Sequence, residues 1–198
     1  APAGVSDRAF RFARLAEVLQ NGGRLDLFFY PRERIPPHFT RMRAAASLVD
    51  PDLDLVVGDT GPAALWGAAL AGGSSPCLAI NFGNGHTLMA LVEGNRFDGL
   101  FEHHTASLSP ERMEAYIRRF AAGEDLGDEV FAEGGHGALP VSTPFSLTGT
   151  PIVVTGPRRQ SFGTMKLPLR EVSLHGDMML TGCYGLLAGY RARRSGVQ

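Results

Sequence analysis

The sequence predicts an α/β fold, a mixed sheet with flanking helices, and three observations predict it. Short apolar runs of strand character (LDLFFY, LDLVVGD, PCLAINF, LMALVEG, PIVVTG) alternate along the chain with segments of helical spacing. The runs between 76 and 104 stand close together and join through turn dipeptides, which gives the sheet an antiparallel part. Glycine is abundant, 25 of 198 residues, and clusters instead of spreading as a linker would.

Residues 6–20 read as a helix that Ser6 can cap, with Phe10, Leu15, Val18 and Leu19 near helical spacing. NGG breaks the chain before a strand at 25–30, and 37–48 reads as a second helix with a proline start. LDLVVGD, at 53–59, is a buried-type strand running into DTGP, which opens an Ala-rich helix at 61–71. PCLAINF (76–82), LMALVEG and RFDGLFEHHT follow as three strands, the first pair joined by GNGHT and the second by Gly94-Asn95, a hairpin dipeptide. The spacing predicts a helix over 109–122: Ser109 caps it, Pro110 suits its first position, Gly123 stops it, and Met113, Tyr116, Ile117 and Phe120 form its apolar face. Residues 134–150, rich in Gly, Pro, Ser and Thr, are expected to be a loop that separates subdomains or forms a flap. PIVVTG (151–156) is a strand, and HGDMMLTGCYGLLAGYRARR closes the chain as a helix capped by Asp177.

Composition narrows the function classes. Nineteen basic against 20 acidic residues leave a net charge of −1, so no global field steers the chain to nucleic acid or to an anionic membrane. No stretch approaches the ~20 apolar residues of a membrane span, and the charged N-terminus lacks a signal core; a cytoplasmic setting is expected. Cys77 and Cys183 belong to no CxxC pair, which argues against a disulfide scaffold, a cysteine zinc site and an iron–sulfur cluster. The length suits one self-supporting lobe, 1–198.

Several motifs can carry chemistry. Gly83, Asn84, Gly85, His86 and Thr87 lie in a turn between two strands, where backbone N–H groups and the Thr87 hydroxyl can converge on a phosphate; a plain hairpin turn is the equal alternative. In PIVVTGPRR, Gly156 can let backbone approach a ligand at the carboxyl edge of the sheet and Arg158 can meet phosphate, or the segment is a turn with solvated arginines. The glycines of the closing helix, Gly182, Gly185 and Gly189, point to close approach by a ligand or another backbone, with helix packing the stronger reading for Gly189. His86, His103, His104, His136 and His175 sit at turns or element ends, where Asp59, Glu102 and Asp177 can join them in a metal or acid–base site. No pair has HxxxH spacing, and His103 and His104 on one strand point to opposite faces, so no metal ligand set is assigned. Asp59 and Thr60 either bind a metal-bound water or hydroxyl or simply cap the next helix. The acidic residues of 124–133 read as a solvated edge.

INFGNGHTLMAL, PIVVTGP and GDMMLTGCYGLLAGY together resemble the second lobe of the actin-like ATPase superfamily, which includes the Hsp70 chaperones and the acetate and sugar kinases. The resemblance implies a ribonuclease H-like lobe with ATP and Mg²⁺ as cofactors. Gly83, Asn84, Gly85, His86 and Thr87 would lie at the phosphates, Gly156 and Arg158 beside the nucleoside, and Gly182 in close approach. Asp59, Glu102, His103, His104 and His136 would then contact substrate or exchange protons. A closer similarity covers nearly the whole chain: GVSDRAFRF, VVGDTGPAAL, NFGNGHTLMALVE, GLFEHHTASLSPERM, EVFAEGGHGA, TGPRR and HGDMMLTGCYGLL resemble a prokaryotic family of unknown function labelled as a pyruvate formate-lyase activating enzyme. That resemblance implies a preceding lobe with a phosphate loop of its own. The chain, which begins APAG without an initiator methionine, is accordingly expected to be the C-terminal part of a longer protein. The expected partners are a small-molecule or nucleotide ligand, that N-terminal lobe, and a second copy in a homo-oligomer. The label itself calls for a radical-SAM CxxxCxxC motif, which two cysteines cannot supply. A metal-dependent hydrolase or isomerase using the histidines, and a non-catalytic binding or assembly module, are the alternative functions.

Overall fold

The computed structural model describes residues 6–195. A six-stranded mixed sheet carries the fold, with its spatial order fixed by strands β3 (Cys77–Phe82), β4 (His86–Glu93), β5 (Arg96–His104), β6 (Gly137–Leu139), β7 (Ile152–Thr155) and β8 (Leu169–Glu171). They lie in the order β6-β5-β4-β3-β7-β8. From β6 to β3 neighbours are antiparallel; β7 runs parallel to β3 and β8 parallel to β7. Two three-residue strands, β1 (Phe29–Pro31) and β2 (Val56–Gly58), pair with each other apart from this sheet.

Both faces of the sheet are covered, which explains why the central strand β3 is a nearly continuous apolar run. On one face Leu78, Ile80, Phe82, Met89 and Phe101 pack against α4 (Pro110–Ala121) and α5 (Gly127–Ala132). On the other, small residues, Cys77, Ala79 and Ala90, admit α3 (Thr60–Gly72) and leave room for α1 (Asp7–Gln20). α3 has no polar side and is buried, because it lies between the sheet and α6 (Thr181–Ser195). Glycine permits that stacking: a Cβ on Gly67 would collide with the Thr181 carbonyl, and one on Gly185 with the Ala63 carbonyl. A short helix α2 (Thr40–Ser47) packs beside β2.

Most predicted elements are present with altered ends. The helix at 109–122 stands as read: the Ser109 hydroxyl accepts the Arg112 N–H at 3.2 Å, Pro110 follows, and Gly123 takes φ +77°. Four expectations need correction. Residues 25–28 form a 3₁₀ turn and only 29–31 are strand. β2 is half-buried and stands outside the main sheet. Within the predicted loop 134–150, Gly137–Leu139 is an edge strand, held because β5 offers a free ladder side. Asp177 caps a 3₁₀ turn, accepting the Met179 N–H at 2.8 Å, and the closing helix starts four residues later at Thr181.

One irregularity decides which side chains meet. Between β4 and β5 the register slips, with Met89 opposite Phe101 but Leu91 opposite Asp98, so β5 carries one extra residue. Gly99 absorbs it at φ +64°, a left-handed bulge position that suits glycine. The bulge resets the alternation of β5: Phe97 and, beyond it, Leu100 both face the α3 side. Glu102 and His104 follow Leu100 on that face, and Phe101 and His103 take the α4 side.

Candidate functional site

The carboxyl end of β3, the amino end of β4 and the carboxyl end of β5 share one edge of the sheet, and the candidate residues gather there. Arg11 is the hub on the α3 side. It precedes Leu15 and Val18 at helical spacing, so it lies on the buried stripe of α1 where the helix reaches this edge. Its Nε donates to Glu102 Oε1 at 3.0 Å, and its two terminal nitrogens donate to Asp59 Oδ2 at 2.9 Å and Oδ1 at 3.4 Å. Asp59 also caps α3, accepting the Gly61 N–H at 3.0 Å, so the capping role foreseen for it is real and is joined to an ion pair. Burial works against the charge on Arg11, but the two carboxylates outweigh it and hold its pKa above the ordinary value. Burial pushes the Glu102 carboxyl up, against the opposing pull of Arg11. Glu102 is fully buried, and its Oε2 has no hydrogen-bond partner among the described residues.

Three histidines meet beside this pair. His86 and His104 face each other across the β4–β5 ladder with ring centroids 4.8 Å apart. His136 arrives from the turn before β6, where its N–H donates to the Glu102 carbonyl at 2.9 Å. Its ring centroid lies 4.6 Å from that of His86 and 5.2 Å from that of His104. One ring nitrogen from each lies within 4.8 Å of the others. His136 is buried, its Nδ1 has no partner among the described residues, and burial together with the neighbouring His86, His104, Arg11 and Arg8 lowers its pKa to about 4. Burial, then His104 and Arg11, lower that of His86.

His103 points to the other face, as expected for adjacent residues of a strand. Its Nδ1 lies 3.2 Å from its neighbour's carbonyl and its Nε2 3.8 Å from Glu133 Oε2, a carboxylate that also accepts the Tyr116 hydroxyl at 2.7 Å. It is therefore separated by the sheet from the other three.

The glycine turn and the TGP segment are neighbours. Gly83 donates to the His86 carbonyl at 3.1 Å, closing a hairpin whose tip, Asn84 and Gly85, is exposed. Neither Gly83 nor Gly85 takes a left-handed φ; Gly83 is required because a Cβ there would lie 2.6 Å from the His86 carbonyl oxygen. Among the described residues, the N–H groups of Asn84 and Gly85 find no backbone carbonyl as acceptor. Thr87 turns inward, its hydroxyl 3.0 Å from that of Thr105, which in turn donates to the Gly83 carbonyl at 2.7 Å. Gly156, at φ +98°, lies so close to the Phe82 carbonyl that a Cβ would overlap it, and the exposed Arg158 donates its N–H to the same oxygen at 3.0 Å. Gly182 stands apart from any close approach, with open space around an added Cβ, whereas Gly185 and Gly189 pack against Ala63 and Phe29. Thr155, at the end of β7, donates to the Thr181 hydroxyl at 3.2 Å and ties α6 to this edge.

Behind Arg11 and Asp59 lies an open cavity of about 580 Å³. Its wall combines cations, Arg11, Arg14 and Arg41, with aromatic rings, Phe10, Tyr30 and Phe39. Sequence reasoning missed Arg11; the signal available was an arginine in register with Leu15 and Val18.

A mixed α/β protein with a polar, histidine-rich edge to its sheet is thus defined. Residues 1–161 match the model of the family described as "Putative pyruvate format-lyase activating enzyme (DUF1786)", and the chain belongs to that family. No curated protein and no solved structure matches the chain. Among the described residues no helix is long and apolar enough to cross a membrane.

Proposed function

We propose that this chain is a phosphate- and nucleotide-binding lobe of the ribonuclease H-like, actin-related type. The observation that carries the reading is the strand order. Ribonuclease H-like lobes place three antiparallel strands beside two that run parallel to the first, in the order third, second, first, fourth, fifth. Here β5-β4-β3-β7-β8 has that order and those directions, with β6 added at the edge. Open α/β sheets bind ligands at the carboxyl ends of their parallel strands. In this chain the two loops at that end, 83–86 and 156–158, are hydrogen-bonded through Phe82.

The residues fit a nucleotide phosphate in part. The uncommitted N–H groups of Asn84 and Gly85 and the side chain of Arg158 are the donors this reading uses, and Thr87 is not among them because its hydroxyl is spent on Thr105. Mg²⁺ would come with ATP, held largely by phosphate and water. The activity in the family's description does not fit the cysteines present. Radical-SAM chemistry needs three clustered thiolates, and this chain has a buried Cys77 on β3 and an exposed Cys183 on α6.

Calorimetric titration of ATP–Mg²⁺ into the protein tests the proposal. Gly85→Trp is the informative variant, because an added Cβ meets nothing within 4 Å and the turn keeps its shape. Binding that weakens in Gly85→Trp and in Arg158→Ala supports the reading. No binding by the native protein, or binding unchanged in both variants, refutes it.

A further inference from the structure

The geometry points to a second site that needs no nucleotide: we propose that His86, His104 and His136 bind one divalent transition metal of the Zn²⁺ class. The three come from β4, β5 and the turn before β6, so the sheet itself sets their spacing. A tetrahedral ion at about 2.0–2.1 Å from each nitrogen holds its ligands about 3.3 Å apart. The nitrogens lie within 4.8 Å of one another, so binding requires them to draw together by at most about 1.5 Å.

A buried polar atom without a partner marks the place. Among the described residues Nδ1 of His136 has no hydrogen bond, although the residue is only 7% exposed. Burying such an atom unpaired is unfavourable, and ligation removes that cost. Arg11 and Arg8 lie near and oppose a positive ion, and the carboxylates of Glu102 and Asp59, paired with Arg11, offset that cation. Imidazole nitrogen selects Zn²⁺, Co²⁺, Ni²⁺ or Cu²⁺ over Mg²⁺, which prefers oxygen. Three protein ligands leave a fourth position for water or substrate, the arrangement of a catalytic site. Because His86 directly follows Gly85, the ion would stand beside the exposed turn, where a substrate anion could reach it.

Chelator-treated protein is titrated with Co²⁺, followed by its visible absorption, and then with Zn²⁺ in competition, both without nucleotide. One equivalent of Co²⁺ should bind with a tetrahedral spectrum, yield to Zn²⁺, and be indifferent to excess Mg²⁺. His86→Ala, His104→Ala and His136→Ala should each weaken binding by about 100-fold or more. His175→Ala, a histidine beside Tyr184 and outside the group of three, should bind as the native protein does. Circular dichroism checks that each variant is folded. Failure of the folded native protein to bind Co²⁺ or Zn²⁺, or binding as tight as the native protein's by all three cluster variants, overturns the proposal. Since no nucleotide is present, that result leaves the ATP titration to stand or fall separately.

Discussion

Arg11 on α1 reaches Glu102 on β5 at 3.0 Å, bringing together two residues 91 positions apart and placing a cation against a carboxylate with no solvent exposure. Removing the arginine strands that carboxylate. Arg11→Met is expected to destabilise the fold by about 3–5 kcal/mol, read from urea denaturation. Adding Glu102→Leu should recover most of the loss, because an apolar pair of similar volume avoids the desolvation of the ions. A double variant no more stable than the single one would show that the pair does not act as a unit.

The bulge at Gly99 aims Glu102 and His104 at Arg11 and His86. Alanine there must hold φ near +64° and would lie 2.7 Å from Phe120 and Val141. Gly99→Ala is expected to cost about 1–3 kcal/mol and to loosen the β4–β5 pairing. Amide exchange of β5 checks it: faster exchange beyond residue 99 is expected, and native protection throughout would contradict the role given to the bulge.

Helix stacking separates two glycines of α6. Gly185→Ala drives a methyl into the Ala63 carbonyl and should cost several kcal/mol, since backbone on α3 has to move. Gly182→Ala meets open space and should change stability by at most about 1 kcal/mol, in the stabilising direction. Thermal melting of the two variants side by side decides the matter; equal losses would mean that α3 and α6 do not pack at this distance.

How much of this was legible follows from which signals are local. The helix at 109–122 and the three strands of 76–104 were readable because caps, turn dipeptides and apolar period lie within a dozen residues of each other. β6 and β8, three residues each, are strands because a neighbour offers ladder bonds, and their own sequences, GAL and LRE, carry no pattern long enough to announce it. The histidines were legible as candidates but not as a group. His86, His104 and His136 have no helical metal spacing, and their meeting depends on a bulge and an edge strand. The excess glycine resolved into distinct demands: left-handed backbone at Gly99 and Gly156, and contact between helices at Gly67 and Gly185.

Thr87 and Arg158 distinguish a structural hydroxyl from a ligand contact. Thr87→Val keeps the side-chain shape and removes a buried hydrogen bond to Thr105, which should cost about 1 kcal/mol of stability and leave phosphate binding unchanged. Arg158→Ala removes an exposed side chain and should do the reverse. Denaturation and ATP titration of both variants give the test; a loss of ATP affinity in folded Thr87→Val would assign the hydroxyl to the ligand after all.

Acid should weaken the metal-free protein through its histidines. In the unfolded chain His136 takes up a proton near pH 6.5, whereas in the fold its pKa is lowered to about 4 by burial and by His86, His104, Arg11 and Arg8. The unfolded state therefore binds more protons between these values, and stability falls as pH falls from 6.5 to 4. The loss attributable to this residue approaches about 3 kcal/mol at the lower end, and His86, lowered for similar reasons, adds in the same direction. Urea midpoints of chelator-treated protein at pH 7 and pH 5 read the trend. His136→Gln, which cannot take up the proton, should lose less stability over that interval than the native protein; an equal or steeper loss would mean that His136 is not held neutral in the fold.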